Sequence, residues 1–223
     1  MPNEKFQQAN RSHTSLLAAA EKKALIWTAS RLPRWVNSDH LTGLGFVAQV
    51  AAGLCYYVAS SHPQALLWVI PCLIVNWFGD SLDGTLARVR NQQRPRYGFY
   101  ADHILDAIGT FFLISGLAFS GHMPPGVAYA FLIAYFLLSI EIYLATYTLG
   151  TFHLSYWSFG PTELRILLII GNLFALRNPW AKVGEIQFLF FDVGFAIGTV
   201  GVSMILLQAV VRHTRILYRA ERI

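Results

Sequence analysis

The sequence predicts an all-α integral membrane protein with six transmembrane helices and an N-terminal amphipathic helix at the membrane interface. Hydrophobic residues make up 55% of the 223-residue chain and charged residues only 13%, whereas about a quarter of a soluble domain is charged. We expect a cytoplasmic segment, 1–40, followed by one transmembrane domain, 41–223. Six apolar runs approach the roughly 20 residues that cross a hydrocarbon core, at 41–60, 65–87, 98–120, 126–149, 162–177 and 188–211.

The distribution of positive charge predicts the orientation of these spans. Most of the 17 lysines and arginines lie in 1–40, in 88–96 and after the last span, and with six spans these regions face the same side. Under the positive-inside rule both termini and the basic region 88–96 are cytoplasmic, so we expect a multi-pass protein of the cell inner membrane. Because the charges bracket apolar helices and form no basic face interleaved with aromatics, we expect no nucleic-acid partner.

Residues 15–30 predict an amphipathic helix ahead of the first span. Its charged face carries Glu21, Lys22 and Lys23. A helix of this kind lies in the cytoplasmic membrane interface or packs against another part of the protein, and the sequence leaves both open. The apolar face has five side chains at helical spacing: Leu16, Leu17, Ala20, Ala24 and Trp27.

Some residues within the predicted spans are expected only to pack. Cys55 and Cys72 both lie inside spans, where buried packing is more common than a disulfide or a metal site. Gly194 and Gly198 in the last span have the small-xxx-small spacing that lets helices approach closely. Such close packing occurs within one subunit or between two.

Four aspartates lie where the second span ends and the third begins. Asp80 and Asp83 are three residues apart, and Asp102 and Asp106 are four apart, so each pair lies on one helix face. The connector 89–97 is polar and basic and contains a proline, as a short loop does. Because the two helices are consecutive and antiparallel, the sequence predicts that four carboxylates converge near one membrane surface.

Four like charges in a small volume need compensation by protons or cations. Arg88 can neutralise one, but bound divalent cations do so more economically, and Mg²⁺ and Mn²⁺ favour carboxylates, waters and phosphates. Two such ions about 4 Å apart clamp the attacking and leaving oxygens in phosphoryl transfer. The small Gly84 and Ala87 let a phosphate-bearing ligand approach the helix, and Arg88 is placed to pair with a phosphate.

The aspartates belong to a longer pattern, DxxDGxxAR, then nine residues, then GxxxDxxxD. This pattern resembles the signature of the class I CDP-alcohol phosphotransferases over 27 residues, and six spans preceded by an amphipathic helix resemble that family's fold. The segment NSDHLTGLG, Asn37–Gly45, resembles the family's PNxLTxxG entry. It departs from that entry at Ser38 and Asp39, where proline and a neutral residue are more usual.

The resemblance implies that an acceptor hydroxyl attacks a phosphorus of a CDP-linked donor and releases CMP. It implies Mg²⁺ or Mn²⁺, two ions in all, held by Asp80, Asp83 and Asp102. Asp106 would be the general base on the acceptor hydroxyl and a further metal ligand. Periodicity alone does not identify the base, which must only reach the attacking oxygen. The resemblance also implies a homodimer and a cytidine diphosphate pocket lined by Gly84, Ala87, Arg88 and Gly98.

The substrates follow from the resemblance only in outline. In its commonest bacterial version CDP-diacylglycerol donates to a polar alcohol such as glycerol 3-phosphate, inositol phosphate or serine, and this phospholipid-forming reaction is the one we expect. In another version CDP-choline or CDP-ethanolamine donates to diacylglycerol. No lysine or arginine lies between Glu141 and Leu164, so a phosphate-bearing acceptor would depend on Arg165 or on basic residues elsewhere.

Other polar residues have two interpretations each. Glu141, in the fourth span, is a functional carboxylate or faces a neighbouring helix or subunit. Arg165 binds a phosphate or anchors the fifth span at the interface. Pro161 predicts a helix start with Glu163 in its first turn, and the role of Glu163 stays open. Two residues of the preceding segment either line an acceptor pocket or are ordinary interfacial side chains: His153 and Trp157.

Two rival interpretations of the aspartates differ from catalysis. In one, the four carboxylates only pair with the arginines of the connector. In the other, the chain is a cation-coupled transporter, whose carboxylates would be spread through the depth of the bilayer and accompanied by broken helices. The predicted clustering at one surface, with glycine and arginine at fixed spacing, favours the enzyme.

Overall fold

The structure, a computed structural model, describes residues 18–149, 161–183 and 185–222. Within these ranges the chain is mainly helical, with one short 3₁₀ turn and one β-hairpin. The elements in order are α1 (Ala18–Arg31), α2 (Ser38–Ala59), the 3₁₀ turn (Pro63–Ala65), α3 (Leu66–Val89), α4 (Pro95–Ala118), α5 (Pro125–Leu149), α6 (Pro161–Arg177), β1 (Trp180–Val183), β2 (Ile186–Leu189) and α7 (Phe190–Ala220).

Five described segments are long and apolar enough to cross a membrane, so the multi-pass class is confirmed. The predicted fifth span is α6, which has 17 residues and is about 25 Å long at 1.5 Å per residue. That is slightly short of a hydrocarbon core of about 30 Å, so a sixth span remains a prediction. The five segments are Ser38–Ala59, Pro63–Val89, Pro95–Ala118, Pro125–Leu149 and Phe190–Ala220.

Two polar contacts set the direction of α6. Near its start, Arg165 bonds Asp80 in the second half of α3. Two turns later, Asn172 accepts a hydrogen bond of 2.9 Å from the buried hydroxyl of Tyr56, near the end of α2. The end of α2 lies at the start of α3, because the two helices are consecutive and antiparallel. Helix α6 is therefore aligned with the neighbouring spans and runs antiparallel to α3.

The packing around α2 depends on glycines. This helix packs against both α3 and α4, and a Cβ built on Gly79 of α3 would lie 2.6 Å from the carbonyl oxygen of Leu41 and 2.8 Å from the nitrogen of Gly45. A Cβ on Gly116 of α4 would lie 2.0 Å from the carbonyl oxygen of Gly53. The three backbones approach so closely because these positions have no side chain.

Helix α1 packs on the protein through a face other than the predicted apolar face. Ala29 is 1% exposed and lies in one hydrophobic cluster with Leu82 and Leu86 of α3, whereas Ala24 and Trp27 of the predicted apolar face are exposed. The leucines of α3 decide which face is buried, and these are remote in sequence. Residues 15–17 of the predicted helix lie outside the described residues.

A β-hairpin lies where the sequence predicts only a loop and the start of the last span. Strands β1 and β2 are antiparallel, with Val183 paired to Ile186, which leaves a two-residue connection. The all-α prediction therefore omitted one short element.

The residues expected only to pack are in part confirmed. Cys55 and Cys72 are unbridged and half-buried against the main hydrophobic core. A Cβ on Gly198 would lie 3.3 Å from the ring of Phe131, so Gly198 marks a close contact between α7 and α5. Around Gly194 no described atom lies within 4 Å of such a Cβ.

Candidate active site

The four motif aspartates line one small cavity between α2, α3 and α4. Asp80 and Asp83 come from the second half of α3, and Asp102 and Asp106 from the first half of α4. The free volume of the cavity, about 10 Å³, is close to that of a single water molecule, so a larger ligand needs side chains to move. The other described lining residues are Thr42, Gly45, Phe46, Asn76 and Leu105.

Asp83 is held by the start of α2. Asn37 caps that helix by accepting a 2.9 Å hydrogen bond from the backbone of His40, and the first turns then present two hydroxyl groups to α3. Thr42 donates to a carboxylate oxygen of Asp83 at 2.6 Å, and Ser38 donates to its carbonyl oxygen at 3.0 Å. The serine that departs from the family's usual proline thus makes a bond that proline cannot make.

Asp80 is held by an arginine from α6. The Arg165 guanidinium donates to the Asp80 carboxylate at 2.8 Å and to the side-chain oxygen of Asn76 at 2.7 Å. Asn76 in turn donates to the carbonyl oxygen of Gly45 at 3.0 Å. The Arg165 side chain is only 12% exposed, which does not fit a snorkelling anchor. Sequence reasoning missed Asn76, although an amide one turn before Asp80 in an apolar span was a usable signal.

Two arginines of the connector have other partners. Arg90 donates to the carbonyl oxygens of Leu32 and Pro33 at 2.9 and 3.0 Å, and so holds the segment that follows α1. Arg94 forms an ion pair with Asp39 at the start of α2. These two arginines therefore tie the connector to the N-terminal part of the chain instead of neutralising the motif aspartates.

The four predicted pocket residues lie beside the cavity and are not among its described lining residues. Gly84 and Ala87 are half-buried, and Arg88 and Gly98 are exposed. The Arg88 guanidinium donates to the hydroxyl of Thr85 at 3.1 Å and lies 3.5 Å from where a Cβ on Gly84 would be.

The cavity has the chemistry of a divalent-cation site. Its four carboxylates supply only oxygen donors, the type that Mg²⁺ and Mn²⁺ prefer. Within the described ranges, however, no three His, Cys, Asp or Glu side chains are grouped closely enough to hold a metal ion. Of these carboxylates, Asp80 accepts a hydrogen bond from Arg165 and Asp83 accepts one from Thr42.

Glu141 is paired within the membrane-spanning part of the fold. Its carboxylate lies 2.6 Å from Nδ1 of His213 in α7, and both side chains are about nine-tenths buried. Its other carboxylate oxygen is buried and has no hydrogen-bond partner among the described residues. Of the two interpretations, the contact with a neighbouring helix is the one that the structure shows.

Breaking this pair should destabilise the protein. The His213→Leu substitution leaves the buried carboxylate of Glu141 without its partner, so we expect the free energy of unfolding to fall by about 3 kcal/mol. The double variant Glu141→Leu/His213→Leu should recover much of that loss. Thermal unfolding in detergent checks both expectations. If the loss of stability in the double variant equals the sum of the losses in the two single variants, the pair does not couple α5 to α7.

The remaining candidates lie before and at the start of α6. The helix begins at Pro161, which confirms the predicted start. His153 and Trp157 lie outside the described residues, as does the side chain of Glu163. Their interpretations therefore stay as the sequence left them.

Comparison with known proteins agrees with the pattern of aspartates. The family model described as CDP-alcohol phosphatidyltransferase matches residues 35–212. A comparison with curated proteins returned no match. The family match covers well over half of the 223 residues and includes every described side chain that lines the cavity. The chain therefore belongs to the CDP-alcohol phosphatidyltransferase family.

Proposed function

We propose that this protein transfers a substituted phosphoryl group from CDP-diacylglycerol to the hydroxyl of a polar acceptor alcohol and releases CMP. Membership of the family implies a transferase of phospholipid biosynthesis that uses a CDP-alcohol. The observation that carries the finer proposal is the convergence of four aspartates from two helices on one cavity. Carboxylates gathered at one site, and not spread through the bilayer, favour this chemistry over ion transport.

Divalent cations complete the proposed site. Asp80, Asp83 and Asp102 would hold two Mg²⁺ or Mn²⁺ ions, with Asp106 within reach of one. When bound, the ions would neutralise the diphosphate and clamp the attacking and leaving oxygens. The support is the four carboxylates that line the cavity, because carboxylate oxygens are ligands that both ions prefer.

The other motif residues have proposed roles around the reacting phosphorus. Asp106 accepts the proton of the acceptor hydroxyl as that oxygen attacks, which requires hydrogen-bond reach to it. Arg88 pairs with a donor phosphate through its planar guanidinium. The absence of larger side chains at Gly84, Ala87 and Gly98 lets the cytidine diphosphate lie against the helices.

The proposed enzyme works at the cytoplasmic face of the inner membrane. The basic N-terminal segment, connector and C-terminal end support this orientation under the positive-inside rule. In that setting the lipid donor enters from the bilayer, while CMP and a polar acceptor exchange with the cytoplasm. We also infer a homodimer from the family resemblance, and light scattering of the purified protein measures the mass of the assembly.

The decisive test is CMP release by purified protein. CDP-diacylglycerol, CDP-choline and CDP-ethanolamine are each offered with a panel of acceptors, with Mg²⁺, with Mn²⁺ or with chelator, and lipid products are identified by mass. We expect CMP only with CDP-diacylglycerol, a polar alcohol and a divalent cation. Product from CDP-choline and diacylglycerol would reverse the donor assignment, and no CMP from any pair would refute the proposed reaction.

The contact between Thr42 and Asp83 gives a further prediction. The Thr42→Val substitution removes a hydrogen bond to a carboxylate, an interaction worth about 1.5–3 kcal/mol, so we expect kcat/KM to fall by about 10- to 100-fold. Thr42→Ser keeps the hydroxyl and is the matched control. If the valine and serine variants turn over CDP-diacylglycerol equally fast, the hydroxyl does not position Asp83.

A further inference from the structure

We infer that Arg165 is a tethered counter-ion: it competes with a divalent cation for Asp80 and transfers to the donor's diphosphate when cation and donor bind together. The inference rests on the proposed metal site at the aspartates. It concerns the order and coupling of binding, which the family match does not specify. The contacts that carry it are the bonds of Arg165 to Asp80 and to Asn76.

The first step is that the two cations exclude each other at Asp80. The Arg165 guanidinium donates to Oδ2 of Asp80 at 2.8 Å, and the same oxygen would be a ligand of a divalent cation held by Asp80. A guanidinium and a divalent cation on one oxygen repel each other, and the cavity has room for about one water molecule. Metal binding at Oδ2 of Asp80 therefore requires the guanidinium to leave this oxygen.

The second step is that Arg165 cannot move far. Its Nε is bonded to the buried Asn76, which is itself bonded to the backbone of α2. The tether keeps the guanidinium next to the cavity after Asp80 is released. The side chain is 12% exposed, and a largely desolvated charge needs a new partner.

The third step identifies that partner by its chemistry. A diphosphate entering the cavity has anionic oxygens that accept hydrogen bonds from a planar guanidinium. These oxygens are present only when the donor is bound. Metal alone would leave the Arg165 guanidinium without an anionic partner, whereas the diphosphate that comes with the donor supplies one. The two ligands should therefore promote each other's binding through Arg165, by the same factor in both directions.

The test is Mn²⁺ binding to purified full-length protein, followed by electron paramagnetic resonance of the free ion, with and without CDP as the diphosphate probe. In the Arg165→Gln variant we expect Mn²⁺ alone to bind about tenfold more tightly than to the wild type, the equivalent of about 1.4 kcal/mol. We also expect CDP to increase Mn²⁺ affinity about tenfold less in the variant than in the wild type.

Two controls separate direct competition from a general change of charge. Arg212→Gln removes an exposed arginine of α7 and should leave Mn²⁺ binding unchanged. In an Asp80→Asn background, Arg165→Gln should no longer tighten Mn²⁺ binding, because the contested oxygen is no longer charged. If Arg165→Gln does not fold as a monodisperse protein, Arg165→Lys replaces it. The lysine ammonium cannot keep both contacts of the guanidinium, so the affinity for Mn²⁺ should rise about threefold.

The outcomes distinguish this inference from the proposed function. If the wild type binds no Mn²⁺ with or without CDP, the metal site itself is wrong. If the wild type binds Mn²⁺ but neither Arg165 variant changes the affinity or its coupling to CDP, only the counter-ion role is overturned. If Arg165→Gln also tightens Mn²⁺ binding in the Asp80→Asn background, the arginine acts only through its general positive charge. That result would also overturn the proposed competition at Asp80.

Discussion

The Asp106→Asn substitution should lower kcat by about 10²- to 10⁴-fold, the contribution typical of a general base. Asparagine has nearly the shape of aspartate but cannot accept the proton of the attacking hydroxyl at neutral pH. The donor contacts proposed for Gly84, Ala87 and Arg88 do not involve Asp106, so CDP-diacylglycerol binding should largely survive. Single-turnover CMP release measures the first effect, and titration with the donor measures the second.

A matched control uses an aspartate outside the cavity. Asp39 lies at the start of α2 in an exposed ion pair with Arg94, and exposed pairs contribute about 1 kcal/mol or less. Asp39→Asn should therefore change kcat by about twofold at most. Near-normal turnover in Asp106→Asn would remove Asp106 from the role of base, and loss of donor binding would show that it holds the donor instead.

The Gly79→Ala substitution should damage both stability and catalysis. The new methyl group would lie 2.6 Å from a carbonyl oxygen of α2 and 2.8 Å from a backbone nitrogen of the same helix, so relief requires the two backbones to separate. Overpacking of this kind costs about 1–3 kcal/mol. Asp80 is the next residue, and a displacement of about 1 Å at a reacting group can lower the rate about 100-fold.

Gly43→Ala is the control for this change. Gly43 lies in α2, and no described atom is within 4 Å of a Cβ built there. Alanine favours a helix over glycine by about 0.5–1 kcal/mol, so this variant should be at least as stable as the wild type and equally active. Thermal unfolding and CMP release are measured on both variants. Unchanged stability and activity in Gly79→Ala would contradict the close approach of α2 and α3 at this glycine.

The convergence of the aspartates was predictable because it depends on local geometry. Spacings of three and four residues place each carboxylate pair on one helix face, and a short connector makes the two helices antiparallel neighbours. The structure has all four side chains in one cavity. The partners of those carboxylates were not predictable in the same way: Arg165 lies 85 residues from Asp80, and Thr42 lies 41 residues from Asp83.

What the sequence left open or missed depends on a distant partner or on a short element. The face of α1 that packs on the protein is set by Leu82 and Leu86 of α3, which are remote in sequence, whereas Trp27 of the predicted apolar face is exposed. The hairpin of β1 and β2 is too short to show a clear alternating pattern. The partner of Glu141 is a histidine 72 residues away, and no spacing rule connects the two.

The sequence by itself determined the membrane class, the approximate limits of most helices, the family resemblance and the side chains that meet at the cavity. These follow from composition and from periodicity, which act over one helix or two consecutive helices. Only the tertiary structure decided that Asp80 is paired with Arg165, that Asn76 tethers that arginine and that Thr42 holds Asp83. The physical reason is that these contacts join helices remote in sequence, and their geometry depends on how closely the backbones of α2, α3 and α6 pack.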